Sequence, residues 1–458
     1  MNDKTADMKK VLQVLDEEDK IHFFSSFETI EEQPHWENSV ELKGNGTRLS
    51  SGVYSNQYLE IGMMKTEVDS GPRNSYTGKT NVGWSGQKAL SYSGHHVSSN
   101  RAYSFHKIFE VDIDVTPATS FSYLIHPEFA DEEERDYSST YVSLDLAFSD
   151  GTYLSELEAV DQHGVRLTPI AQGDSKTLYP NQWNYKTSKI GLVASGKKIL
   201  RILVAYDQPK GPGIFKGSID DIRIAEKTGE KVSKSPIDYV SILRGTNSNS
   251  TFSRGNNFPA VALPHGFNFW TPVTDAGSTS WLYSYQQHNN RDNLPELQAF
   301  SLSHQTSPWM GDRQTFQVMP SGAGNPCVNR KQRALPFQHK NEVAKPHYYK
   351  VLFENGIKTE FTPTNRAAMF RFTFVDNVSS LIFDNVNDLG GLTILPEENI
   401  ITGYSDVKSN LSVGATRMFI YATFDKKMIK SGKLTGENRD HVAGLFPLIP
   451  GNQIKPLR

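Results

Sequence analysis

Between residues 245 and 312 the chain concentrates side chains whose chemistry suits a hydroxyl-rich ligand. The segment runs through Gly245-Thr246-Asn247, Ser253-Arg254-Gly255-Asn256-Asn257-Phe258-Pro259 and Pro264-His265-Gly266-Phe267-Asn268-Phe269-Trp270-Thr271-Pro272. It continues through Trp281-Leu282-Tyr283 to Phe300-Ser301-Leu302-Ser303-His304-Gln305-Thr306-Ser307-Pro308-Trp309-Met310-Gly311-Asp312. Aromatic faces pack on the apolar C–H face of a pyranose, and planar polar groups pair with vicinal hydroxyls. Trp270, Trp281, His304, Gln305 and Trp309 are the candidate sugar contacts, expected to share one surface, with Asp312 as a further sugar or loop contact. A loop-rich core in which the same residues satisfy backbone groups is the alternative, and both fit the segment. No catalytic residue is assigned. The acids of this half stand alone on turns (Asp275, Asp292, Asp312) or flank strands (Glu354, Glu360).

Other chemistries find less support. The acidic run Glu128, Asp131, Glu132, Glu133, Glu134, Asp136 lacks the alternating spacing of a calcium loop. His95-His96 has no partner at metal-ligand spacing, and Gly211-Pro212-Gly213 is not followed by a helix. Ser253 and Ser303 sit in no nucleophile elbow. The single cysteine, Cys327, excludes a disulfide scaffold and a Cys-rich zinc site. A net charge of −3 without a basic stripe argues against nucleic acid as a partner. The first twenty residues contain no apolar signal-peptide core, and no run reaches the roughly 20 apolar residues of a membrane span. A cytoplasmic protein with no membrane partner is the expectation.

A chain of 458 residues exceeds one hydrophobic core, so two or three domains are expected. Residues 7–19 have the apolar spacing of a short helix, inside an N-terminal segment 1–21. Beyond it helical periodicity fades. Tyr141–Phe148 alternates, with Val142, Leu144, Leu146 and Phe148 on one face, as in a half-buried strand. Ile199–Tyr206 is a continuous apolar run, and Gly217–Ala225 reads as another strand. These make 22–228 an all-β, jelly-roll-like sandwich. A polar linker follows at 229–240. A second, larger β-sandwich occupies 241–445, with strands at 348–353, 356–361, 369–375, 381–384 and 418–424. Residues 446–458 read as a truncated tail.

The second half resembles the N-terminal domain of the bacterial calcium-dependent exo-α-mannosidases of glycoside hydrolase family 92, enzymes active on α-1,2-linked mannose. The motifs that carry the resemblance are Pro264-His265-Gly266-Phe267, Ser303-His304-Gln305 with Trp309, and His339…Glu342…Pro346…Tyr348-Tyr349, with His347 where glycine is usual. Gly356-Ile357…Glu360-Phe361-Thr362 and Arg366…Arg371-Phe372 complete the series. The resemblance implies a galactose-mutarotase-like sandwich that frames a mannose-containing oligosaccharide. It also implies a C-terminal α/α barrel as partner, which supplies the acid, the base and most calcium ligands. His339 and Glu342 are then expected to brace the loop before Tyr348-Tyr349 rather than to transfer protons. The first half resembles accessory sandwiches fused to some members, through Phe24-Ser25-Ser26-Phe27-Glu28, Gln182-Trp183-Asn184 and Gly217…Ile219-Asp220-Asp221-Ile222. A carbohydrate-binding role and a spacer role both fit it. For the whole chain the alternative is a standalone, non-catalytic carbohydrate-binding protein or a non-functional fragment.

Overall fold

A computed structural model of the chain describes residues 19–34, 40–41, 48–49, 54–55, 64–97, 99–131, 133, 135–226, 235–253, 255–303, 311, 315–322, 326–375, 378–408, 417–436 and 439–447. The helix expected at 7–19 and the tail 448–458 lie outside these residues. The chain divides into two compact units, Met1–Val232 and Ser233–Arg458. Both are built from antiparallel strands, so the all-β expectation holds.

In the first unit one sheet runs in the order Asn184–Ser188, Thr119–Glu128, Gly213–Glu226, Ala89–His96, Lys65–Asp69, and Lys20–Ser25 pairs with Gly213–Glu226. The second runs Tyr54–Ser55, Ala102–Asp114, Lys198–Gln208, Val142–Phe148. Val142, Leu144, Leu146 and Phe148 enter the main core as their alternation predicts. The opposite face of this strand is buried as well, contrary to the half-buried expectation. A turn at Leu154–Glu156 covers it, and Ser155 donates through its backbone N–H (3.0 Å) and its hydroxyl (2.6 Å) to Asp145. His96 of the pair His95-His96 spends both ring nitrogens inside this unit, on the Tyr206 hydroxyl (2.9 Å) and the Asn100 carbonyl (2.6 Å).

The second unit has one sheet ordered Phe269–Val273, Ala299–Ser303, Phe316–Gly322, Val378–Asn385, Arg439–Pro447, Lys430–Gly436. Another runs Glu296–Leu297, Leu335–Lys345, Tyr348–Phe353, Lys358–Pro363, Ala368–Thr373, and a three-stranded sheet joins Gly390–Leu395, Ile400–Ser405 and Met418–Thr423. Its core is aromatic. Phe300 meets Tyr349, Phe353, Phe361 and Phe370 edge to face, the arrangement ring quadrupoles favour. One loop crossing needs glycine. Gly255, at φ +119°, passes so close to Gly245 that a Cβ would stand 2.6 Å from its Cα.

Candidate functional site

The strand Leu335–Lys345 departs from regular pairing at the point that matters most. Phe337 faces Phe353 and Glu342 faces Val351, so five steps along one strand answer two along the other. In an unbroken strand His339 and Glu342, three residues apart, would project to opposite faces. The irregularity reverses that parity, as bulges do. His339 Nδ1 lies 2.9 Å from Glu342 Oε2.

Glu342 is fully buried at its side chain. Its Oε1 accepts from the Tyr349 hydroxyl at 2.6 Å and, more loosely, from Tyr283 at 3.4 Å. Burial first, and the Glu342 charge second, push both tyrosine hydroxyls well above the ordinary phenol range, so they stay protonated donors. His339 Nε2 donates to the Tyr285 carbonyl at 2.9 Å, and the two rings stack at 3.8 Å with 4° between planes. The contacts of His339 and Glu342 are those of a brace. They hold Tyr349 on one side and the segment Tyr283–Tyr285 on the other.

That segment continues the loop that bears Trp281. Leu282 is buried, and its carbonyl accepts from Thr274 N (2.9 Å) and Asp275 N (3.2 Å). Ser284 N donates to Thr274 Oγ1 at 2.8 Å. Between these anchors Trp281 takes φ +40°, a left-handed conformation that costs an ordinary residue on the order of 1 kcal/mol and persists only where neighbours impose it. Its side chain remains partly exposed. Asp275, exposed beside the same turn, accepts from Gly277 N at 3.1 Å.

Trp270 requires a correction. It was expected on an open surface with Trp281, yet it is only 7% exposed and stands edge-on to Phe370 at 4.6 Å and to Phe316 at 6.5 Å. The reason is local. Phe269–Val273 is a strand, buried at all five positions, and Trp270 also bridges to Val261. His304, Gln305, Trp309 and Asp312 lie outside the described residues. Nearby, Phe267 is exposed, with the Arg366 guanidinium 4.8 Å over its ring.

A second buried cluster went unnoticed in the sequence. Arg330 binds Asp384 through two nitrogens (3.0 and 3.1 Å), and Arg333 adds a third contact at 2.9 Å. Burial lowers the Arg333 pKa, and Asp384 opposes that shift. Among the described residues no three His, Cys, Asp or Glu side chains converge to hold a metal ion. Among the same residues no helix is long and apolar enough to cross a membrane.

Residues 239–445 match the model of the glycosyl hydrolase family 92 N-terminal domain. The second unit therefore carries a glycosyl hydrolase family 92 N-terminal domain, which spans a little under half of the chain. An uncharacterized secreted glycosidase of Arthroderma benhamiae is 24% identical over 184 residues, or 38% of this chain and 21% of the relative. A family 92 inverting mannosidase from Bacteroides thetaiotaomicron is 32% identical, covering 48% of this chain and 31% of its own, with a TM-score of 0.43. A further family 92 glycosyl hydrolase is 18% identical over 47% of this chain and 30% of its own, with a TM-score of 0.36. The chain thus spans about a fifth of the curated relative and under a third of these solved chains. The curated relative is named as secreted, which lends the cytoplasmic expectation no support.

Proposed function

We propose that this chain is the substrate-framing part of an exo-acting α-mannosidase and that its family 92 unit binds mannose-containing glycans. The observation that carries the reading is the family match over 239–445, which covers the loop held by His339 and Glu342. On this reading Trp281 supplies the stacking face, and His304, Gln305, Trp309 and Asp312 supply polar and aromatic contacts around it. Acid, base and calcium come from an α/α barrel that closes the site, in the same polypeptide or as a separate partner. Inverting hydrolysis needs two carboxyl groups roughly 6.5–9.5 Å apart with a water between them. The buried carboxylates described in this unit have protein partners: Glu342 has tyrosines and histidine, Glu360 has Tyr348 and Lys358, and Asp384 has two arginines. Calorimetric titration of the chain with α-1,2-mannobiose tests the reading, with cellobiose as control. Weak, saturable binding of mannobiose that disappears in Trp281→Ala is expected. Equal binding by both disaccharides, or by neither, contradicts it.

A further inference from the structure

The bracing pair does more than hold its own strand. His339 and Glu342 both reach across to the segment that follows Trp281, and they do so through two different kinds of contact. The His339 Nε2–H bond to the Tyr285 carbonyl fixes a backbone position four residues beyond Trp281. The parallel stack of His339 on Tyr285 fixes the plane of that ring. Glu342 meets the Tyr283 hydroxyl, two residues beyond Trp281, only at 3.4 Å, so the firm tie is the one through His339. On the other flank the loop is tied by Thr274, whose N–H and hydroxyl serve Leu282 and Ser284. Trp281 is left between these ties in a left-handed conformation, the feature most sensitive to any slackening. The Tyr285 carbonyl can only accept, so Nε2 carries a hydrogen, and the 2.9 Å contact of Nδ1 with Glu342 then needs a proton on one of its two atoms. Removing the carboxylate removes the group that orients the imidazole.

We propose that His339, oriented by Glu342, is a positioning residue for Trp281: by clamping Tyr285 the pair sets the angle at which the Trp281 ring meets a sugar. The consequence for sugar binding rests on the function proposed above; the positioning of the ring does not.

The full chain labelled with fluorotryptophan gives one fluorine resonance per tryptophan, six in all, and Trp281→Phe assigns the relevant one. In His339→Leu and Glu342→Ala the Trp281 resonance is expected to shift or broaden while the other five hold. Glu342→Gln is expected to restore it, because a side-chain amide can still bond Nδ1. His339→Gln, which keeps a donor for the Tyr285 carbonyl, serves if the leucine variant fails to fold, and is expected to move the resonance less. A Trp281 resonance unmoved in both histidine variants, six resonances moving together, or no restoration by Glu342→Gln each overturns the proposal. Mannobiose titrated into the same samples should bind roughly three- to tenfold more weakly to His339→Leu, the change that loss of one aromatic stacking contact gives. Unchanged affinity despite a moved resonance leaves the clamp standing and removes Trp281 from the sugar site.

Discussion

Three buried carboxylates, Asp145 and Asp220 in the first unit and Asp384 in the second, are held in different ways. In the first, Asp145 accepts from Leu146 N, Ser155 N and the Ser155 hydroxyl, and Asp220 accepts from Trp84 N, Ser85 N and Asp221 N. Burial dominates both. It pushes Asp145 up to about 6 and Asp220 well above the usual carboxylate range, where the neighbouring Asp221 charge raises it further. In the second unit Asp384 meets two guanidiniums. Neutral donors leave a buried carboxyl poised to titrate in mildly acidic solution. Cations hold a carboxylate charged and make it expensive to remove. Asp145 and Asp220 should therefore answer to pH and Asp384 to the loss of a partner, and the first unit's buried Asp161, 2.8 Å from Lys186 Nζ, belongs with Asp384.

The largest effect that would sharpen this contrast is in the second unit. Asp384→Ala strands two buried guanidiniums and should cost about 3–5 kcal/mol, read as an earlier denaturant transition of that unit. A loss below about 1 kcal/mol would break the contrast, since it falls in the range of an exposed ion pair.

Next comes the acid limb of the first unit. Burial drives His126 down to about 3, with backbone groups of His126 and Asn181 partly opposing. A base with a depressed pKa contributes stability above its unfolded value near 6.5 and loses it as pH falls. His126→Phe should therefore remove about 3 kcal/mol of acid-induced loss between pH 6.5 and 4, taking 1.36 kcal/mol per pH unit. Equal acid sensitivity in variant and wild type would count against it.

Asp145 works in the opposite direction. Its folded value is raised, so its contribution is present below the unfolded value near 3.8 and is lost as pH rises through 6. Asp145→Asn should flatten the stability profile of the first unit between pH 4 and 6 by about 2–3 kcal/mol. No change in slope would show that Asp145 stays charged throughout. The smallest expected effect is that of Trp281→Ala on stability, under about 0.5 kcal/mol for a part-exposed loop residue. A larger loss would place Trp281 in the core beside Trp270.

Much of the fold was legible because strand alternation reports burial directly. Val142, Leu144, Leu146 and Phe148 go inward as their spacing requires, and Ile199–Tyr206 lies within the central strand Lys198–Gln208. The site was legible only in part. His339 and Glu342 were singled out as a brace, but their hold on Tyr283 and Tyr285 depends on an irregularity that reverses strand parity, and spacing does not announce it. Arg330 and Asp384 are 54 residues apart and meet only through tertiary folding. Trp270 misled because a segment rich in Gly, Asn and Pro looks like loop throughout, while Phe269–Val273 inside it is a buried strand.

The most direct test of the central claim is release of free mannose from α-1,2-mannobiose by the purified chain in the presence of calcium. The account predicts binding without release, and release only when a family 92 α/α barrel is supplied. Mannose liberated by this chain alone, and abolished both by a chelator and by Asp312→Asn, would mean that the site is complete within these 458 residues.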